Sequence, residues 1–260
     1  MYKIGSLFSG IGGFELGLER AIPHSKTIWQ VEQDKFCQSI LKKHWPKAQI
    51  YDDVKNITKD NVEPVDVLCG GFPCQDISVA GKQGGIDGKK SGLWWEMWRI
   101  ISELRPRIVV MENVSNIIRL GGLDLCGSLA KIGYDAEWTT IRASDFGAPH
   151  RRERWFCVAY PNIKRFSSCE HGKRTKRGKK TTSTRKMDFM DKNSRKKHIT
   201  KNKTYWQKNT PESPLCNVDD GISSRVARLK ALGNAIVPQC SQWIGEQIWK
   251  SGILQGEEHV

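Results

Sequence analysis

A doubly wound α/β sheet, mostly parallel and with helices on both faces, is the fold the sequence predicts. Three observations predict it. Short apolar runs alternate with longer amphipathic ones, a glycine-rich turn joins the first run to the second, and the charge outside one segment is balanced. The run Lys3–Phe8 breaks at Ser9-Gly10 and reads as the first strand. Phe14–Ala21 then spaces Phe14, Leu18 and Ala21 for one helix face. Thr27–Val31 is rich in β-branched and aromatic residues, Lys35–Lys43 returns to a helical pattern, and Val65–Cys69 is the third strand. Leu93–Leu104 is a helix whose Trp94, Trp95 and Trp98 form a core stripe rather than a cofactor box. Strand Arg107–Met111 and helix Leu123–Ile132 follow. Strands Ala136–Ile141 and Arg154–Ala159 come in succession without a helix between them, which predicts an antiparallel pair. A helix over Ala235–Trp249 lies near the C-terminus.

The 260 residues carry a formal charge of +14. Between Lys164 and Lys208 there are 17 Lys and Arg against three acidic residues, which accounts for the whole excess. That segment is poor in aliphatic residues and cannot bury a core of its own. So much unneutralised charge is expected to meet a polyanion. No apolar run reaches the roughly 18 residues of a membrane helix, and no signal-type stretch follows Met1. The eight cysteines form no Cys-x-x-Cys pair. A reduced, cytoplasmic protein with no metal and no membrane partner is therefore expected.

The first turn, Phe8-Ser-Gly-Ile-Gly-Gly-Phe-Glu15, places Gly10, Gly12 and Gly13 where a ligand can approach backbone closely. Glu32 closes the second strand, 19 residues beyond Gly13, where nucleotide-binding folds place a carboxylate that accepts from ribose hydroxyls. An adenosine-containing cofactor is expected. The turn lacks the Lys-Ser/Thr of a phosphate loop, which disfavours ATP.

Beyond the third strand, Cys69-Gly-Gly-Phe-Pro-Cys-Gln-Asp-Ile-Ser78 puts Cys74 at the carboxyl edge of the sheet, where backbone N–H groups can hold a thiolate. Met111-Glu-Asn-Val114 brings Glu112 to the same edge. His150-Arg-Arg-Glu-Arg154 leads into the last strand, with Arg152 and Arg154 on one face. Together with Asp53-Val54 and Leu232-Gly-Asn-Ala-Ile-Val-Pro-Gln239, these motifs resemble, in order, those of the DNA cytosine-5 methyltransferases. The resemblance covers roughly residues 3–160 and 225–250.

The resemblance implies a Rossmann-like methyltransferase sheet, S-adenosylmethionine as methyl donor and double-stranded DNA as substrate. Cys74 would add to C6 of a flipped cytosine, Glu112 would protonate or share a proton with N3, and Asn113 would hold the nucleophile loop. Arg154 would contact the cytosine O2, with Arg152 supporting the nucleophile loop. Phe8 would stack near the adenine, and Ser9, Gly10, Gly12 and Gly13 would line the methionine side. Glu32 would hold the ribose, Asp53 and Val54 would border the adenine, and Pro73, Leu93, Asn234 and Ala235 would complete the pocket. That pocket requires the C-terminal helix to return to the first strand.

Two departures from the family pattern stand out. His150 replaces the usual Gln of the Gln-x-Arg-x-Arg motif, and the long recognition domain is reduced to residues 162–220. The domain organisation expected is a catalytic core over 1–161, a basic, partly disordered insert over 162–220, and a segment 221–260 that completes the core. Ser78–Lys90, glycine-rich and next to the nucleophile, is expected to be a lid that orders on DNA. Short members of this layout resemble the unaccompanied methyltransferases of bacteriophages and prophages, which implies a monomer without a restriction partner. Three other readings remain open: an RNA-directed relative acting on transfer RNA, a DNA-binding relative that has lost catalysis, and a nicotinamide dehydrogenase, which would give Pro73-Cys74 no task.

Overall fold

Alternation along the central strands sorts their apolar side chains into two cores, which is why these strands read as nearly continuous apolar runs. In the computed structural model, which describes residues 1–73, 92–162, 184–186 and 231–255, eight strands form one sheet. They are β1 (Tyr2–Leu7), β2 (Ser25–Val31), β3 (Gln49–Tyr51), β4 (Val67–Gly71), β5 (Ile108–Val114), β6 (Tyr134–Arg142), β7 (Glu153–Pro161) and β8 (Thr184–Lys186). The helices are α1 (Gly13–Ala21), α2 (Lys35–His44), α3 (Leu93–Leu104), α4 (Ile117–Leu120), α5 (Gly122–Lys131) and α6 (Pro238–Lys250).

The sheet order is β3-β2-β1-β4-β5-β7-β6-β8, with β7 antiparallel to both of its neighbours and every other pairing parallel. Val67 and Cys69 of β4, Ile108 and Val110 of β5, and Phe156 and Val158 of β7 face α1 and α6, meeting Phe14, Leu18, Trp243 and Ile244. Leu68, Val109, Met111, Trp155 and Cys157 face the other way, onto Trp94, Met97 and Ile101 of α3 and Leu129 of α5. The expected fold class is thus observed.

Local chemistry sets the boundaries. Asp34 caps α2, its carboxylate accepting from the Phe36 and Cys37 N–H groups. α6 begins at Pro238 rather than at the expected Ala235, because proline is preorganised for a first helical position and Val237 before it is extended. β5 runs on to Val114, so Glu112 lies within the strand rather than just past its end. The sequence pattern misses β3, α4 and β8, each only three or four residues long.

The last two core strands pair antiparallel, as expected, but β7 inserts between β5 and β6. The basic segment contributes β8, which adds Thr184–Lys186 to the β6 edge. Its remaining residues, Cys74 and the stretch 78–90 lie outside the described residues, as do the expectations placed on them.

The C-terminal helix does return to the start of the chain. α6 lies along α1 so closely that a side chain at Gly17 would overlap Ser241 and the backbone at Pro238. Ser241 Oγ donates to the Gly13 carbonyl at 3.0 Å. No helix among the described residues is long and apolar enough to cross a membrane.

Candidate active site at the carboxyl edge

The chain runs outward from β1 through β2 to β3, then restarts at β4 on the other side of β1. This makes the gap between the carboxyl ends of β1 and β4 a topological switch point, where α/β sheets bind ligands. Because β7 is antiparallel, its first residues arrive at the same edge. A cleft of about 660 Å3 opens there. One end is walled by Phe8, Gly10, Glu32, Val54, Leu93 and Asn234, the other by Pro73, Glu112, Asn113, Arg152 and Arg154.

At the second end, register brings Glu112 level with Gly71 on β4 and Phe156 on β7. Arg154 Nε meets Glu112 Oε1 at 3.0 Å, and Arg154 Nη1 donates to the Glu153 carbonyl at 3.0 Å. Glu112 is only 8% exposed. Burial pushes its carboxyl up to about 7, against the opposing pull of Arg154 and Arg152. The Glu112 side chain has room because residue 71 is glycine: a Cβ there would stand 2.9 Å from Glu112 Oε2.

Asn113 Nδ2 donates to the Phe72 carbonyl at 2.8 Å, and the Phe72 ring packs on Trp94 with centroids 5.2 Å apart. The backbone two residues before Cys74 is therefore fixed from β5 and from α3. Cys74 itself lies outside the described residues.

At the first end, Glu32 accepts from Gly10 N–H at 2.7 Å through Oε2 and from Asp34 N–H at 2.8 Å through Oε1. Each oxygen keeps a second lone pair, so the carboxylate is preoriented and can still accept from a diol. Phe8 holds a left-handed backbone (φ 56°) at the tip of β1 and lines the cleft. Asp53 caps the helical turn Val54–Asn56 through the Lys55 N–H at 3.0 Å and so places Val54 in the wall.

Ser9, Gly12, Gly13, Asp53 and Ala235 are not part of the described wall. Ser9 Oγ is turned to Ser6 Oγ at 2.9 Å. Gly12, at φ 85°, makes room for Trp45, and Gly13 makes room for the Ile236 carbonyl. Both glycines thus allow close packing around the turn, and Gly10 lines the cleft. Gln38, which sequence reasoning did not single out, donates to the Glu32 carbonyl at 2.5 Å and ties α2 to the end of β2. Its signal was its place one turn beyond the Asp34 cap.

Arg152 has described partners in the C-terminal segment. Its Nη1 donates to the Gly233 carbonyl at 2.7 Å and its Nη2 to the Ala235 carbonyl at 2.6 Å. These contacts hold the C-terminal segment over the cleft, while the expected contact to the loop around Cys74 lies outside the described residues. Gly13→Ala is expected to push on the same segment from the other side. A loss of about 1–3 kcal/mol should register as a lowered thermal midpoint, together with weakened cofactor binding. An unchanged midpoint would show that the Ile236 carbonyl yields freely.

The fold and the cleft define an α/β core with a ligand-sized cleft at its switch point beside a buried acid–arginine pair. The chain belongs to the C-5 cytosine-specific DNA methylase family, whose model matches residues 2–218. It is 35% identical over 177 residues to the Type II methyltransferase M.Bsp6I of Bacillus sp. (strain RFL6), covering 65% of this chain and 55% of that protein. It is 39% identical over 155 residues to the Type II methyltransferase M.CviJI of Paramecium bursaria Chlorella virus IL3A, covering 59% of this chain and 41% of that one. The chain thus spans about half the length of the curated relatives it matches. Among solved structures, a protein assigned as a DNA modification methyltransferase encoded within an E. coli prophage superposes with a TM-score of 0.50 at 26% identity, over 67% of this chain and 49% of that one.

Proposed function

We propose that the chain transfers a methyl group from S-adenosylmethionine to C5 of a cytosine flipped out of duplex DNA. The observation that carries this reading is the Glu112–Arg154 pair: a carboxyl lifted to about 7 and oriented by a guanidinium, beside the anchored backbone that leads to Cys74. The cleft supports the choice of donor. Its volume of about 660 Å3 suits a nucleoside-sized ligand, and the preoriented Glu32 carboxylate suits a ribose. When bound, the cofactor supplies an electrophilic methyl on a sulfonium sulfur.

The side chains then divide the work. Cys74 thiolate forms a bond to C6 while Glu112 delivers its proton to N3, so the ring accepts the sulfur's electron pair without building up anionic charge. Arg154, fixed by its bond to Glu112, would donate to the cytosine O2 and so hold N3 against the Glu112 carboxyl. C5, now enamine-like, takes the methyl. Loss of the C5 proton to a base drives out Cys74 as thiolate, N3 returns its proton to Glu112, and aromaticity is restored. A stacked cytosine cannot be reached at C6, so flipping is part of the proposal.

Within it, residues 1–161 and 221–260 form the catalytic core and 162–220 the DNA-contacting insert. Phosphate contacts from that insert would position the duplex without reading its sequence. The test is methyl transfer from labelled S-adenosylmethionine to duplex DNA and, in parallel, to transfer RNA. Label in duplex DNA is the expected result. Label in the RNA alone, or in neither, would overturn the assignment of substrate.

A further inference from the structure

Behind the glycine turn lies a polar cluster that the methyl transfer does not use. Glu15, in the first turn of α1, and Gln30, two residues before Glu32 on β2, are both 0% exposed. Gln30 Nε2 donates to Glu15 Oε1 at 3.0 Å. The other two atoms of the pair, Glu15 Oε2 and Gln30 Oε1, are buried and have no hydrogen-bond partner. The Ser6 and Ser9 hydroxyls and the Glu15 N–H also pull on this carboxyl, favouring its charged form, and burial outweighs them. From the sheet, Cys69 of β4 is the titratable group that faces it, and burial pushes that thiol well up, so it stays neutral. Glu19, the next carboxylate along α1, is taken up by the Thr27 N–H and Trp45 Nε1.

A carboxylic acid and a primary amide side by side can close a ring of two hydrogen bonds. Here one bond is present, and the two atoms of the second are both orphaned. An ionised Glu15 would leave Gln30 Oε1 as a buried acceptor facing a second acceptor with no donor between them, and only the neighbouring serine hydroxyls to answer the charge, at a desolvation cost. A single proton on Oε2 satisfies both. We propose that Glu15 is carried as the neutral acid, and that its closed pair with Gln30 positions the cofactor site by locking the turn at Gly10 against the end of β2 that presents Glu32. Glu32 accepting from Gly10 N–H at 2.7 Å is the contact this lock preserves. The inference rests on the cofactor reading above and adds a positioning pair to it.

The pH dependence has a definite sign. Burial raises the Glu15 carboxyl from its ordinary 4.5, outweighing the hydrogen bonds that lower it. Stability from the pair is complete below 4.5 and is lost as pH rises through the folded-state value. Glu15→Gln replaces the acid–amide ring with an amide–amide ring that needs no proton, whereas Glu15→Leu cannot form one.

The experiment titrates S-adenosylmethionine calorimetrically into the full chain and both variants, from mildly acid to alkaline pH. It also compares the infrared spectrum of the parent with that of Glu15→Gln. The parent is expected to lose about tenfold in affinity toward alkaline pH. Glu15→Gln should match its acid-side affinity within about twofold at every pH, and Glu15→Leu should be weak throughout. Because Glu112 also holds part of its proton at neutral pH, the test is the parent-minus-Glu15→Gln difference spectrum, which should carry a protonated-carboxyl stretch. A carboxylate band instead, or Glu15→Gln binding as weakly as Glu15→Leu, would overturn the proposal. If neither parent nor variants bind the cofactor, the cofactor reading fails. The pair is then judged by the infrared band and by whether Glu15→Gln flattens the fall of the thermal midpoint with pH.

Discussion

Glu112→Gln is expected to lower turnover on duplex DNA by roughly a hundred- to ten-thousand-fold while leaving cofactor binding and the thermal midpoint near those of the parent. The structure explains the split. A glutamine carbonyl can still accept from Arg154 Nε, which now sits 3.0 Å from Glu112 Oε1, so the architecture persists. The amide cannot deliver a proton to N3, so the chemistry does not. The sign of the pH effect comes from the same residue. Burial lifts Glu112 from 4.5 to about 7, so it holds its proton below about 7 and loses it above. The parent's turnover should fall on the alkaline side as Glu112 gives up its proton. In Glu112→Gln the alkaline fall should vanish. A variant with the parent's full pH profile would show that some other group titrates, and a variant that no longer binds cofactor would show that Glu112 is chiefly structural.

The sheet was legible in the sequence because its strands are buried on both sides. Val67–Gly71 and Ile108–Val114 must feed two cores at once, and that demand writes itself as unbroken apolar runs. The strand order was not legible. Nothing in Glu153–Pro161 itself says that it slides between β5 and β6, yet this placement brings Arg154 level with Val114 and within reach of Glu112. The short elements β3 and α4 escaped because three or four residues show no period.

At the site, several of the residues that line the cleft were readable, while the reason for their neighbours often was not. Glu32, Glu112, Asn113 and Arg154 line the cleft as expected. Gly12 and Gly13 look the same in sequence whether they face a ligand or a tryptophan, and only the packing of Trp45 and Ile236 decides between the two. Arg152 belongs to the same class of ambiguity. Its guanidinium can support any nearby backbone, and the carbonyls it meets, Gly233 and Ala235, are about eighty positions away along the chain. The pairing of Glu15 with Gln30 is likewise invisible without the fold, since a glutamate in the first turn of a helix ordinarily faces solvent as a partner for the helix dipole.

Cys74→Ser is expected to abolish methyl transfer while cofactor binding survives. A serine hydroxyl ionises far less readily than a thiol and is the poorer carbon nucleophile. The fixed surroundings make the loss specific. Asn113 grips the Phe72 carbonyl at 2.8 Å and the Phe72 ring packs on Trp94, so the backbone up to Pro73 is held independently of the side chain at position 74. The discriminating readout is a duplex carrying 5-fluorocytosine, incubated with labelled S-adenosylmethionine. After sulfur adds to C6 and the methyl joins C5, release requires loss of the C5 substituent as a cation, which a proton can do and fluorine cannot. The parent should therefore be trapped as a labelled covalent adduct and Cys74→Ser should form none. An adduct with the serine variant would move the nucleophile elsewhere in the chain. Rapid labelling of ordinary cytosine with no trap in the parent would mean that C5 is methylated without a bond to C6, and the roles assigned to Glu112 and Arg154 would then have to be derived again from that chemistry.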